Sequence, residues 1–328
     1  MGRSWKSLVG MAVVASVALL PLYGDARPSP VSHPEWARMV LRALDLVPAG
    51  IDLAKTEDSL LGTAVAGFYD PKTKALVVRG VKTTPYVRQV IVHELTHAVQ
   101  DQNFGIDRPD LDKADDERPD GFRGLVEGDA VRIDGEYRAS LSASDARQAA
   151  KEEDSQGGGI DPNIPQALVE LLAFPYQVGP PFTQSLLKAG GQAKLDAAFK
   201  NPPTTSEQLV HPEKYLAGEG AKPVDKPTAD GKVIDQGVLG ELGLAVVLGQ
   251  AEQNGDIGAG EVDVARTGWG GDQYVAWDAG TQSCVRDRIV MDTPADNIEL
   301  GNALRRIAGK RRGLTVSGTG PLTVTSCG

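Results

Sequence analysis

The chain predicts an α+β fold, and three observations predict it. Two short apolar runs, 64–69 and 75–79, flank the turn residues Asp70-Pro71-Lys72-Thr73 and read as a β-hairpin. Helical periodicity is present at 35–46 and, from Pro85, recurs in several segments as far as residue 199. In the last third, strand-like runs at 273–277 and 284–291 stand between apolar helical stretches. The expected order is therefore a small sheet with its following helices, a helical region, and a C-terminal β/α addition.

Before the first helix lies a segment with an export pattern. Arg3 and Lys6 precede an apolar run over 8–23, and the small residues Gly24-Asp25-Ala26 suit cleavage after Ala26. That run falls short of the roughly 20 residues a spanning helix needs, and no other run is long enough. A secreted or cell-envelope protein with no membrane span after signal removal is expected, with a retained N-terminal anchor as the alternative. The chain holds 34 basic and 44 acidic residues, a net charge of −10. Such an acidic surface argues against nucleic acid as a partner. Aromatics make up only 5%, so the core must rest on Val, Leu, Ile and Ala.

The elements follow in order. Residues 28–34 are an extended lead-in, 35–46 have helical spacing, and the hairpin comes next. Residues 85–102 then read PYVRQVIVHELTHAVQDQ. Thr84 is placed to cap this helix and Pro85 to open it. Val87, Val90, Ile91, Leu95, Ala98 and Val99 predict a buried apolar stripe. Two of the four histidines, His93 and His97, lie one turn apart on one face, so both imidazoles can bind one metal ion, and Zn²⁺ suits them. Glu94 between them can act as general base on a water held at that ion. Asp101, four residues past His97, can reach the site as a ligand or as acceptor for an imidazole N–H; the acceptor role is the expected one.

After a polar loop over 103–121, residues 122–141 are apolar-periodic. Glu127 lies there among Leu125, Val126 and Ala130, an unusual setting for a solvated glutamate and a suitable one for a third ligand. Asp129 is expected to support the site without binding the metal. Residues 146–162 read as a solvated helix end and loop. Short helices are expected at 165–173, 182–189 and 194–199. Thr205 or Ser206 caps a turn that ends at His211, because the residue before Pro212 resists further helix. Residues 217–232, rich in Gly, Pro, Lys and Asp, form the linker. An apolar helix is expected at 238–248. Thr293 caps a helix opened by Pro294 and running to about residue 308, and 314–317 with 322–325 close the chain as a hairpin. The two cysteines, Cys284 and Cys327, are expected to pair in an exported chain; closing that loop stabilises by about 4 kcal/mol.

With HELTH at 93–97 and LVEGDA at 125–130, the chain resembles the gluzincin metallopeptidases, and within them a group of exported bacterial neutral zinc metallopeptidases. The similarity extends over the ten residues 93–102, over TSEQLVHPEKY at 205–215 and over GWGGD at 268–272, so it covers roughly residues 33–300. Other zincins fit less well: metzincins need a glycine and a ligand where this chain has Gln100 and Asn103.

The resemblance implies a zincin-like fold with His93, His97 and Glu127 as zinc ligands and Glu94 as base. It implies an edge strand at 76–79 that pairs with an extended peptide substrate. It also implies a donor to the developing oxyanion from the C-terminal part, for which His211 is the candidate and Tyr215 the next. The expected organisation is a signal peptide at 1–26, a zincin-like metallopeptidase domain at 27–220, and a linker with the C-terminal β/α segment at 221–328. The expected activity is peptide-bond hydrolysis by a secreted zinc endopeptidase acting on protein or peptide. The alternatives are a noncatalytic zincin-shaped scaffold at the cell surface and a zinc amidase acting on cell-wall peptide.

Overall fold

The computed structural model describes residues 15–16, 35–111, 114–156 and 161–328. The export-like segment 1–26, save Ala15–Ser16, and the lead-in 28–34 lie outside the described residues. Helices predominate and the strands gather into two small, mainly antiparallel sheets, as in an α+β protein. No helix among the described residues is long and apolar enough to cross a membrane.

The first sheet is small. Strand β1 (Ala15–Ser16) lies beside β2 (Val65–Asp70), which forms a hairpin with β3 (Ala75–Val78). The Asp70 carboxylate accepts from the Lys72 and Thr73 amides and closes the turn. Two helices precede the hairpin, α1 (Glu35–Ala43) and α2 (Leu53–Ala64). After it comes α3 (Pro85–Phe104), with Thr84 accepting from the Val87 amide as N-cap and Pro85 at the first position.

Helices α4 (Arg118–Ser140), α5 (Ala143–Gln156) and α6 (Gln166–Lys200) complete the first helical layer. The stretch expected to be a solvated helix end and loop is thus helical as far as Gln156. The three short helices expected between 165 and 199 belong to α6, whose backbone leaves helical geometry at Gly190 and Gly191. Pro175, Pro180 and Pro181 lie inside it, and each removes a backbone donor. Phe174, Val178, Phe182 and Leu186 on the same helix pack with Phe122, Leu125 and Val126 of α4, and this burial offsets the loss.

The chain then makes two short helices, α7 (Ser206–Val210) and α8 (Pro212–Ala217), and residues 219–229 carry no helix or strand. The second sheet is antiparallel with order β4-β5-β6-β8-β7, formed by β4 (Lys232–Gly237), β5 (Trp269–Asp278), β6 (Ser283–Met291), β7 (Leu314–Ser317) and β8 (Leu322–Cys327). Cys284 and Cys327 are direct partners across β6 and β8 and are joined by a disulfide. Three helices accompany this sheet: α9 (Gly240–Gln253), α10 (Glu261–Arg266) and α11 (Pro294–Ala308). Thr293 and Asp296 form a reciprocal capping box at the start of α11.

Helix α9 is apolar on more than one side because it serves two cores. Leu242 and Val246 pack with the α4–α6 core, while Leu244, Leu248 and Ala251 pack with Trp269, Met291 and Leu300. Helix α1 also crosses the expected boundary near residue 220. Its Val40 and Ala43 pack on Tyr274, Ala276 and Val285 of the second sheet. The C-terminal part is therefore packed on the rest through helices from both sides of the linker.

Candidate metal centre

Helix α3 reverses the expected amphipathic pattern. Leu95 and Val99, two of the residues assigned to the apolar stripe, are 50% and 56% exposed. The face turned inward carries Gln89, His93, Glu94, His97, Gln100 and Asp101, all buried, beside Val87 and Val90. Burying that many polar groups is costly unless each finds a partner. The partners come from α4, which buries Glu127, Asp129 and Asp134 against this face.

Glycines let α4 and α6 come together. A Cβ added at Gly128 would lie 2.3–2.5 Å from the backbone of Gly179, and one at Gly179 would lie 2.3 Å from the Gly124 carbonyl oxygen. The two backbones are therefore in direct contact beside Glu127, which accounts for the glycine that follows it. The same crossing brings Tyr176 of α6 against Glu127. Burial first, then the negative charge of Glu127, push the Tyr176 pKa well above its ordinary value, so the phenol stays protonated.

Among the described residues, His93, His97 and Glu127 form the group of side chains able to hold a metal. The Nε2 atoms of His93 and His97 are 3.1 Å apart, and Glu127 Oε2 lies 3.3 Å from the first and 3.4 Å from the second. The outer ring nitrogens decide the protonation of these inner ones. His93 Nδ1 is 2.8 Å from Asp134 Oδ2, so it donates to that carboxylate. His97 Nδ1 is 2.9 Å from Gln100 Oε1. In the neutral rings both Nε2 atoms then carry lone pairs, and Glu127 adds a third.

Three acceptors facing one another at these distances repel unless a positive charge sits among them. The electrostatics agree. Burial disfavours a charged His93, yet Asp134 and Glu127 outweigh it and raise its pKa to about 10, so a proton on His93 can supply this charge and a bound metal would take its place. For Glu127 burial acts upward, but His97 and His93 overcome it and lower the pKa to about 2. The donor set also suits zinc in size. Bond lengths of ~2.0–2.1 Å around a tetrahedral ion set neighbouring ligand atoms about 3.3 Å apart, which the three observed separations match. Three protein ligands, rather than four, is the count found in catalytic zinc sites.

The remaining candidates lie elsewhere or at one remove. Asp101 does not orient an imidazole. Its carboxylate accepts from the Tyr69 hydroxyl at 2.7 Å and pairs with Lys74, joining the hairpin to the end of α3. Asp129 acts through Gln100, accepting from its Nε2 at 3.2 Å, and is itself held by Arg132. His211 faces a different network. Its Nε2 is 3.3 Å from Glu241 Oε1, and Arg266 pairs with the same carboxylate. The hydrogen bond to Glu241 raises the His211 pKa. Tyr215 donates to the Asn201 carbonyl at 2.7 Å.

The orienting residues of the histidines, Asp134 and Gln100, and the phenol of Tyr176 had not been singled out from sequence. Asp134 had a usable signal, since it lies two turns beyond Glu127 on the same helix. Tyr176 had none, because the crossing of α4 and α6 alone brings it in.

The two further motifs, 205–215 and 268–272, build the junction between the two parts of the chain. Ser206 Oγ accepts from the Leu242 amide, Lys214 pairs with Glu207 and Asp292, and Trp269 Nε1 donates to Asp272. A Cβ at Gly271 would lie 2.5 Å from the Lys222 carbonyl oxygen, so the linker passes directly over that glycine.

Residues 227–326, from before β4 into β8, match the model of a family described as a domain of unknown function (DUF8575). No curated protein and no solved structure matches the chain.

Proposed function

We propose that this protein is a zinc-dependent peptide hydrolase with a zincin-like catalytic part, acting outside the cytoplasm. The observation that carries the reading is the convergence of three possible ligand atoms, His93 Nε2, His97 Nε2 and Glu127 Oε2, next to a buried Glu94. His93, His97 and Glu127 would hold a zinc ion, which would supply Lewis acidity to a water and an amide carbonyl. Glu94 takes the proton from the attacking water and delivers it to the leaving amine. Tyr176, protonated and beside Glu127, is the candidate donor to the developing oxyanion, in place of the distant His211. Among the described residues strand β3 is an edge of its sheet, and its outer backbone groups could pair with an extended peptide, which gives affinity with little sequence preference. The gluzincin resemblance at 93–97 and 125–130 and the export-like first residues support the same reading.

A second reading is favoured by burial. His93, Glu94 and His97 are each 0% exposed, as in a site where zinc serves stability in a scaffold protein. Retention of a glutamate between the histidines weighs against it, since a structural site has no need of a base. Metal analysis with a peptide-library cleavage assay, including cell-wall peptides, separates the readings. Glu94→Gln should keep zinc and lose ~10²–10⁴-fold in rate. Tyr176→Phe should keep zinc and lose ~10²–10³-fold in kcat. A protein that binds zinc but cleaves no peptide in a Glu94-dependent manner is a scaffold instead.

A further inference from the structure

The ten-residue motif at 93–102 contains two glutamines, Gln100 and Gln102, and the contacts of Gln100 extend beyond the His97 ring. They differ in placement: Gln100 is 2% exposed, whereas Gln102 faces solvent. The Gln100 side chain reaches three groups on two helices. Its Nε2 lies 3.0 Å from the Val126 carbonyl oxygen and 3.2 Å from Asp129 Oδ2, and its Oε1 lies 2.9 Å from His97 Nδ1.

The orientation of this amide is forced. A backbone carbonyl can only accept, and so can an ionised carboxylate, so the NH₂ end must face Val126 and Asp129. The oxygen end therefore faces His97, and an amide oxygen cannot donate. His97 Nδ1 must carry the proton, and its Nε2 is left with the lone pair that points at His93 and Glu127. The same amide grips the carbonyl immediately before Glu127, 26 residues away in sequence. Asp129 is in turn held by Arg132 at 2.7 Å, so the grip is braced from solvent side to core. His93 has an anionic partner in Asp134, but His97 has this neutral one, so orientation is supplied there without a further negative charge in an already acidic cluster.

We infer that Gln100 is a positioning residue that sets two metal ligands at once, fixing the ring proton of His97 through its oxygen and the place of Glu127 through its nitrogen. The inference rests on the zinc reading for its purpose, but its geometry can be tested without metal.

The experiment measures the ¹⁵N shifts of the His97 ring in the metal-free full chain, and zinc affinity by competition with a chromophoric chelator. In the wild type His97 Nδ1 should be protonated before any metal is added. Gln100→Met keeps the volume and removes both hydrogen-bonding ends; its His97 should show averaged tautomers, and zinc affinity should fall by about 10–100-fold. Gln102→Met should match the wild type in both measurements. A wild-type His97 with an unprotonated Nδ1 overturns the inference, and this arm needs no variant, so it decides even if Gln100→Met does not fold. A folded Gln100→Met that binds zinc as tightly as the wild type overturns it as well, with the zinc reading intact. A wild type that binds no zinc removes the zinc reading, while the ring measurement still decides the role of Gln100.

Discussion

At the crossing of α3 and α4 two imidazole nitrogens and a carboxylate oxygen face one another, whereas in the second sheet two carboxyls, Asp272 and Asp287, interact directly. Both clusters are buried. Asp272 is surrounded by donors: the Leu239 and Gly240 amides at 2.8 Å each and the Trp269 indole at 2.9 Å. Burial raises its pKa to about 6, against those hydrogen bonds. Burial and the charge of Asp272 together push Asp287 well above the usual carboxylate range, so Asp287 holds the proton and donates it to Asp272. The acid pair is thus completed from within by a proton and backbone amides. The histidine cluster differs: its outer nitrogens are satisfied by Asp134 and Gln100, and its three inner atoms converge on one point that favours added positive charge, a proton on His93 or a cation. The contrast separates a buried polar pair closed by its own donors from a cluster whose inner atoms call for added positive charge.

The largest test of this contrast bears on the sheet that carries the acid pair. Removing the Cys284–Cys327 disulfide by paired Cys→Ser substitution should cost about 4 kcal/mol in urea unfolding. Zinc affinity of the folded protein should be unchanged, since the bridge lies on β6 and β8, away from α3 and α4. A large loss of affinity would mean that the two clusters are coupled through the shared helix α9.

Zinc itself should have the next largest effect. At a free concentration of about 100 times Kd it should stabilise the folded state by ~2.7 kcal/mol, read as a shift in the urea midpoint. No added ion should be needed by the acid pair. Equal stabilisation of a His93→Ala, His97→Ala double variant would place the binding site elsewhere and dissolve the contrast.

The smallest effect is a slope with pH. Asp272 and Asp287 bind protons more tightly folded than unfolded, so the folded state holds more protons than the unfolded chain. Their contribution is complete below the unfolded carboxylate value of about 4 and is lost as pH rises through about 6 and beyond. Asp287→Asn replaces the shared O–H donor by an amide N–H. Its stability curve should therefore be flatter than that of the wild type across this interval. Parallel curves would show that the pair does not share a proton in the folded protein.

The apolar stripe on α3 shows how a pattern can be correct about the helix and wrong about its inward face. Val87 and Val90 are buried as expected, but Leu95 and Val99 are not, because the side chains opposite them meet α4. Counting apolar residues cannot anticipate a helix whose inward face is polar. The histidine pair, by contrast, was legible at once, since residues four apart share a face on any helix. Glu127 was legible from its apolar neighbours, which leave a charged side chain no route to water. Asp101 was misassigned because nearness in sequence to His97 says nothing of Tyr69 and Lys74, which claim it from the hairpin.

Features settled within a few residues could be read from the chain alone. The Thr84 and Thr293 caps, the opening prolines Pro85 and Pro294, the Asp70 turn and the offset of His93 and His97 all depend on backbone geometry that local side chains dictate. Groups brought together over long separations required the folded molecule. His93 and Asp134 are 41 residues apart, and Gln100 and Val126 are 26 apart. Tyr176 reaches Glu127 only because Gly128 and Gly179 let two helices touch. Spacing within one helix is imposed by its 3.6-residue turn, whereas the angle and depth at which two helices cross arise from every side chain between them. That is why the histidine pair and its caps could be read from the chain, while the residues that orient the two imidazoles emerged only from the packing.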